Sequence, residues 1–305
     1  MNIYLLNNAK LVGSIPEIGM DSKLEKISVL ECSFSGTIPN SLSTVSTLRL
    51  LQMKNNDVGG TIPSMLLSLP NLETLGLHGN QLVGSIPSIQ TDRNEGRSVL
   101  RSIALGSNSL EGTLPDGIEQ LESLQFLYAQ ENDLTGEIRL EIMDLPLLEQ
   151  LWLYDNELTG EIPSVSSSNR DLKDLFLNGN DLSGNLQDLL SSVPITLEQL
   201  DLSNNNLEDN IPYAIGRLTN LQYLDLSKNN LSGEISEVAI GNLRSLTSFN
   251  FSQNRRLEGD LTSSICETND NLIFAVADCS GNGDPRVDCD CCTECCDRSG
   301  ECSAV

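Results

Sequence analysis

The side chains of this 305-residue sequence best equipped for chemistry are nine cysteines, one histidine and 43 acidic residues, and their spacing sorts them. Eight of the cysteines fall after residue 265: Cys266, Cys279, Cys289, Cys291, Cys292, Cys295, Cys296 and Cys302. An even number at that density points to as many as four disulfides and to an oxidising compartment. Eight cysteines allow 105 pairings, so spacing does not choose among them. The step from Cys292 to Cys295 and the crowding from Cys289 to Cys296 could instead hold zinc or another soft metal through thiolates. Adjacent cysteines crowd a tetrahedral centre, which favours disulfides, and no metal or cofactor is expected. His78 stands near Lys54 without the further ligands of a metal site or the shaped pocket of a catalytic triad, so it reads as an exposed bystander. Asp201 and Asp225 are separated by one repeat rather than arranged as a catalytic pair. No phosphate loop, kinase motif set or paired-carboxylate signature is present, and an enzyme is the least favoured reading. Two acceptor sequons, Asn230-Leu-Ser and Asn250-Phe-Ser, are candidate glycosylation sites.

Positioning these groups falls to a repeated line, written most clearly as Leu172–Gln187. Anchored on asparagine, it recurs at Cys32, Asn56, Asn80, Asn108, Asn132, Asn156, Asn180, Asn205, Asn229 and Asn254, with Ala9 in a degenerate first copy. From Cys32 onward the steps are 24 or 25 residues except one of 28, where Ser88–Ser98 predicts a polar outer bulge. A fixed period in this range is the sign of a solenoid. Apolar residues before the anchor, such as Leu224 and Leu226 before Asn229, alternate as in a short strand. Such strands gain stability only by stacking into a parallel sheet with a shared leucine core. The anchor amide can donate and accept where the chain turns inside the stack, and an apolar side chain there would orphan backbone groups. The glycine and proline in Gly60–Pro63, Gly84–Pro87, Gly112–Pro115 and Gly160–Pro163 turn the chain away along the outer face.

The line LxxLxLxxNxLxGxIPxx resembles plant-type leucine-rich repeats, as in receptor-like kinases, receptor-like proteins and polygalacturonase-inhibitor-type proteins. The resemblance implies a horseshoe-like right-handed β/α superhelix of about 10–11 repeats, with a parallel sheet on the concave face and 3₁₀ or short helical turns on the convex face. It also implies an extracellular setting and a protein, peptide or glycan partner. Arg139, Gln187 and Ser236 depart from the pattern at proline, and Asp209 departs at glycine. The domains expected are a solenoid over residues 1–265 without an amino-terminal cap and an acidic cysteine-rich cap over 266–305, whose cysteine cluster differs from the usual plant cap.

Side chains pointing out of the sheet between the leucines would carry function. The periodicity sets Tyr128, Trp152 and Phe176 on three successive strands about 4.8 Å apart, with Tyr154 beside them and Phe126 at the strand entrance. Gln130, Glu131, Gln150, Asp155 and Asp174 border that row with acid and amide. An aromatic floor with an acidic rim suits a basic peptide or a sugar polymer. The other reading is a row of aromatics that stack on one another and stiffen the sheet. A net charge of −25 argues against nucleic acid and anionic membranes as partners and is compatible with cationic peptides, divalent cations or basic protein faces, but the favoured reading is that acidic charge simply keeps an exported protein soluble.

Met1 starts inside a repeat with no basic region followed by the apolar stretch of a signal peptide, and since the amino end has no polar cap to hide the core edge of a solenoid, the chain is expected to be an incomplete or trimmed product. The longest apolar run, Leu272–Ala277, is far short of the roughly 20 residues of a membrane helix, so membrane attachment would need a segment outside the chain. The expected function is a non-catalytic extracellular recognition module like the ectodomain of a receptor-like protein. The alternative is a secreted inhibitor of a carbohydrate-degrading enzyme. A wall- or ice-binding structural protein would need a flat lattice of threonines, and the outward columns are too mixed.

Overall fold

The computed structural model of the chain describes residues 1–8, 12–19, 22–90, 98–267, 269–279, 287–297 and 301–304. Ala9 and most of the Ser88–Ser98 bulge lie outside the described residues. The chain forms two compact units, Met1–Glu157 and Leu158–Val305.

In the first unit, Asn2–Leu6, Lys26–Leu30, Leu50–Gln52, Thr74–Gly76, Ser102–Ala104, Phe126–Tyr128 and Gln150–Trp152 pair in chain order as a parallel sheet. Leu51, Leu75, Ile103, Leu127 and Leu151 meet in register and are buried, while the residues on either side of each point outward. This is the period-2 pattern of the sequence made physical. Most of these strands are three residues long, shorter than the alternation suggests.

A second parallel sheet, not expected from the sequence, follows the anchors: Val12–Ser14, Ser33–Thr37, Asp57–Gly60, Gln81–Gly84, Ser109–Gly112 and Asp133–Glu137. Its signal was the alternation of leucine and glycine after each anchor, which also reads as a turn. Gly60 shows why glycine closes these strands. Its φ is 74°, and a Cβ there would lie 2.7 Å from Thr37 Cγ2 on the neighbouring strand.

The second unit repeats the plan with Asp174–Phe176, Gln199–Asp201, Tyr223–Asp225, Ser248–Asn250 and Phe274–Ala277. Glu294–Cys296 adds one more parallel strand, and Cys302–Ala304 closes the edge antiparallel. Its second sheet runs from Glu157–Glu161 through Asp181–Gly184, Asn206–Asp209, Asn230–Glu234 and Arg256–Asp260 to Val287–Asp288.

The outer segments are short helical turns, as the resemblance implied. Four repeats that keep proline carry a 3₁₀ turn, at Asn40–Thr44, Leu66–Ser68, Ile118–Gln120 and Tyr213–Arg217, while none follows Pro163. Where Arg139, Gln187 or Ser236 replaces proline, an α-turn forms at Leu140–Met143, Gln187–Ser192 or Glu237–Gly241. Ser236 caps its turn by accepting from Ala239 N at 3.3 Å, which proline cannot do.

The anchor asparagines build a ladder inside each unit. Asn80 donates to Met53 O at 2.8 Å and to Leu77 O at 2.9 Å, and its Oδ1 accepts from Val58 N at 3.1 Å in the preceding repeat. Asn108, Asn132, Asn205 and Asn229 repeat the scheme. At the far end Asp278 accepts from Gln253 N and Asn254 N at 2.8 and 3.0 Å. Cys32, the exception, is a buried free thiol donating weakly to Leu30 O.

The eight clustered cysteines form four disulfides: Cys266–Cys291, Cys279–Cys295, Cys289–Cys292 and Cys296–Cys302. The first ties the turn Thr262–Cys266 to the tail, and the last clips the antiparallel edge. Closing a loop of some 15 residues is worth about 3 kcal/mol in the chain-entropy account.

Candidate ligand-binding face

The outward face of the first unit's sheet is set by strand register. Ser28, Gln52, Gly76, Ala104, Tyr128 and Trp152 form one row across neighbouring strands. The row starts small and polar and ends aromatic. Tyr128 and Trp152 have ring centroids 4.5 Å apart with planes tilted by 46°, and Phe126 stacks on Tyr128 at 6.2 Å. All three rings are half-buried, as expected of side chains standing on a sheet and partly covered by one another. The Tyr128 hydroxyl donates to Gln150 Oε1, which fixes the ring and occupies that carbonyl.

Just past the strands, Gln130 and Glu131 lie beside Tyr154 and Asp155, with Glu131 N donating to Tyr154 O at 2.9 Å. Glu131 and Asp155 occupy the turn position before the anchor at φ 55° and 52°, in the left-handed region. Asn55, Gly79 and Ser107 hold the same position in other repeats. Both acids are exposed, and Glu131 accepts from Ser107 Oγ at 2.5 Å. The Tyr154 hydroxyl meets Gln130 and Glu131, and burial, then the charges of Glu131 and Asp155, push its pKa up. Gln130 differs from the expected open rim: it is only 5% exposed, packed over Gly106. Its Oε1 is buried with no hydrogen-bond partner among the described residues.

Two residues expected in this patch belong to the second unit. Asp174 is 5% exposed, so it offers no open acid. Phe176 meets Tyr223 edge-on at 6.4 Å. Tyr223 was missed in the sequence, although it holds the strand-entrance position that drew attention to Phe126. Phe176, Asp201, Asp225 and Asn250 share one outward row. Tyr223 Oη donates to Asp201 Oδ2 at 3.1 Å, and Asn250 Nδ2 donates to Asp225 Oδ2 at 3.2 Å. Burial, with help from Asp201 and Asp225, pushes the Tyr223 hydroxyl far above its ordinary pKa, and burial likewise raises Asp225. These acids are tied into a side-chain network rather than poised as acid and base. His78 is half-buried, and burial together with Lys54 lowers its pKa.

A family model described as "Leucine rich repeat" matches residues 195–255, and a second, "Leucine Rich Repeat", matches 71–90. The fold is that of a leucine-rich-repeat solenoid. The LRR ectodomain of the Arabidopsis thaliana receptor kinase GASSHO1/SCHENGEN3, solved with CASPARIAN STRIP INTEGRITY FACTOR 2, is 29% identical at a TM-score of 0.76; the match covers 91% of this chain and 33% of that one. The Arabidopsis receptor kinase HAESA LRR ectodomain, solved with an IDA peptide hormone, is 28% identical at a TM-score of 0.67, covering 81% and 44% of the two chains. The chain thus spans less than half of either receptor ectodomain. A plant ice-binding protein shares the leucine-rich-repeat fold at 23% identity and a TM-score of 0.67, covering 94% of this chain and 83% of that one. No curated protein sequence matches the chain. Among the described residues no helix is long and apolar enough to cross a membrane.

Proposed function

We propose that the chain is a non-catalytic extracellular recognition module that binds a peptide or protein ligand on the outward sheet face of its first unit. The observation that carries this reading is the aromatic group Phe126, Tyr128 and Trp152 standing half-exposed on rigid strands beside Glu131 and Asp155. Aromatic anchors on a preformed sheet lose little conformational freedom on binding, and such residues dominate interface energetics. The likeness to two receptor ectodomains solved with peptide ligands supports the same reading. Four disulfides fit an oxidising, extracellular compartment.

A displayed peptide library selected on the full chain tests the proposal. Enriched peptides should bind the Trp152→Ala variant at least about tenfold more weakly, a loss of roughly 1.4 kcal/mol, while the thermal midpoint holds. Equal loss of binding and stability would mean that the aromatics stiffen the sheet and do no more. Enriched peptides indifferent to Trp152→Ala would place the ligand elsewhere.

A further inference from the structure

We propose that the Glu131 end of this face is a seat for an arginine side chain of the ligand, with the Glu131 carboxylate and Gln130 Oε1 as acceptors and the Tyr128–Trp152 pair as the stacking wall. The proposal rests on the sheet-face reading above and goes beyond it by naming the group recognised.

Gln130 is the decisive residue. A buried carbonyl oxygen without a donor costs about 1–3 kcal/mol, so its persistence at 5% exposure needs a reason. Gly106, just past the strand Ser102–Ala104 of the neighbouring repeat, makes room for it: a Cβ there would lie 2.5 Å from Gln130 Cδ and Nε2 and 2.8 Å from Oε1. The amide is therefore held in a notch beside the Tyr154 hydroxyl, with its carbonyl end unpaired among the described residues. A donor brought by a ligand would complete it.

Glu131 supplies the charge. The left-handed turn position it occupies is filled elsewhere by Glu31, Asn55, Gly79, Ser107, Asp155, Asn204, Lys228 and Gln253, so what sets Glu131 apart is its carboxylate beside Gln130 and Tyr154 and not its backbone. Its bond from Ser107 Oγ leaves acceptor positions open, since a carboxylate offers about four. Among the described residues it makes no ion pair.

The geometry selects guanidinium over other groups. Arginine is planar, stacks on aromatic faces and spreads five donors, enough for a carboxylate and an amide carbonyl at once. An ammonium lacks the plane. A sugar hydroxyl must also find donors, and the Tyr128 hydroxyl is already committed to Gln150. Anionic ligands would meet Glu131 and Asp155 and be repelled.

Trp152 is the only tryptophan, so its fluorescence reports on the seat directly. The full chain is titrated with the synthetic peptide acetyl-Gly-Gly-Arg-Gly-Gly-amide, its lysine and citrulline counterparts, and cellotetraose. A saturable change with the arginine peptide is expected, weaker with lysine and absent with citrulline, and weakened by salt. Glu131→Gln, and Gly106→Ala acting by evicting Gln130, should each weaken arginine-peptide binding about tenfold or more, the scale of one charge-assisted hydrogen bond. Citrulline binding as well as arginine, or Glu131→Gln binding as the parent does, overturns the seat. A response to cellotetraose alone overturns both the seat and the peptide ligand while keeping this face as the contact surface, and silence from every probe overturns the seat and leaves the sheet-face reading to the Trp152→Ala selection.

Discussion

Asn132→Leu puts the internal ladder to its sharpest test. Asn132 Oδ1 accepts from Leu110 N at 3.0 Å, and its Nδ2 donates to Leu105 O at 3.2 Å, Ala129 O at 3.2 Å and Gln130 O at 3.1 Å. Leucine has nearly the same shape, so the change is one of polarity. Each carbonyl keeps another donor: Leu105 O has Asn108, Ala129 O has Asn156, and Gln130 O has Ser107 N. The Leu110 N–H is different. Leu110 is fully buried, and that N–H loses its acceptor with no water to replace it. The expected cost is therefore about 1–3 kcal/mol, the penalty of one orphaned buried donor, rather than the sum over four bonds. Urea unfolding followed by Trp152 fluorescence reads this locally, since Trp152 lies on the adjacent strand and repeat proteins need not unfold all at once. Asn71→Leu is the control, because Asn71 donates to Ser46 O at the exposed outer edge and should change stability by no more than about 0.5 kcal/mol. If the two variants cost the same, the ladder contributes nothing beyond surface hydrogen bonding and the account of the anchor fails.

Further outcomes follow from the second unit. Because burial raises Asp225, its folded form keeps a proton to higher pH than the unfolded chain does. Its contribution is present below the ordinary carboxylate range and fades as pH rises through the folded value. Asp225→Asn, which copies the neighbouring Asn250 in accepting from the serine two residues on, should be neutral or stabilising at pH 7 and should flatten the thermal midpoint between pH 4 and 7; a loss at pH 7 larger than at pH 4 would contradict the sign. Expression through a eukaryotic secretory pathway should place a glycan on exposed Asn230 and leave Asn250 bare, since Asn250 Nδ2 is bonded to Asp225 and its Oδ1 accepts from Ser252; peptide mapping that finds a glycan on Asn250 would show this network to be incomplete when the site is modified. Reduction of the intact protein should add eight hydrogens from the four disulfides, with Cys32 alkylated only after unfolding. A chelator-released metal instead would mean thiolate ligation.

The sequence by itself determined the period, the strand positions, the outward row ending in Tyr128 and Trp152, and the role of asparagine, because each follows from local alternation and a fixed step. Periodicity carries no information about which outward side chains are covered by their neighbours one repeat away. That is why Gln130 and Asp174 proved buried, why Phe176 found Tyr223, and why Gly106 gained meaning only as the notch that holds an amide. The second sheet was hidden in the leucine and glycine after each anchor, a pattern that is a turn in one chain and becomes a strand only when an identical copy lies alongside. The cysteine pairing likewise depended on tertiary structure, since eight equivalent thiols are distinguished by distance in space and not by order along the chain.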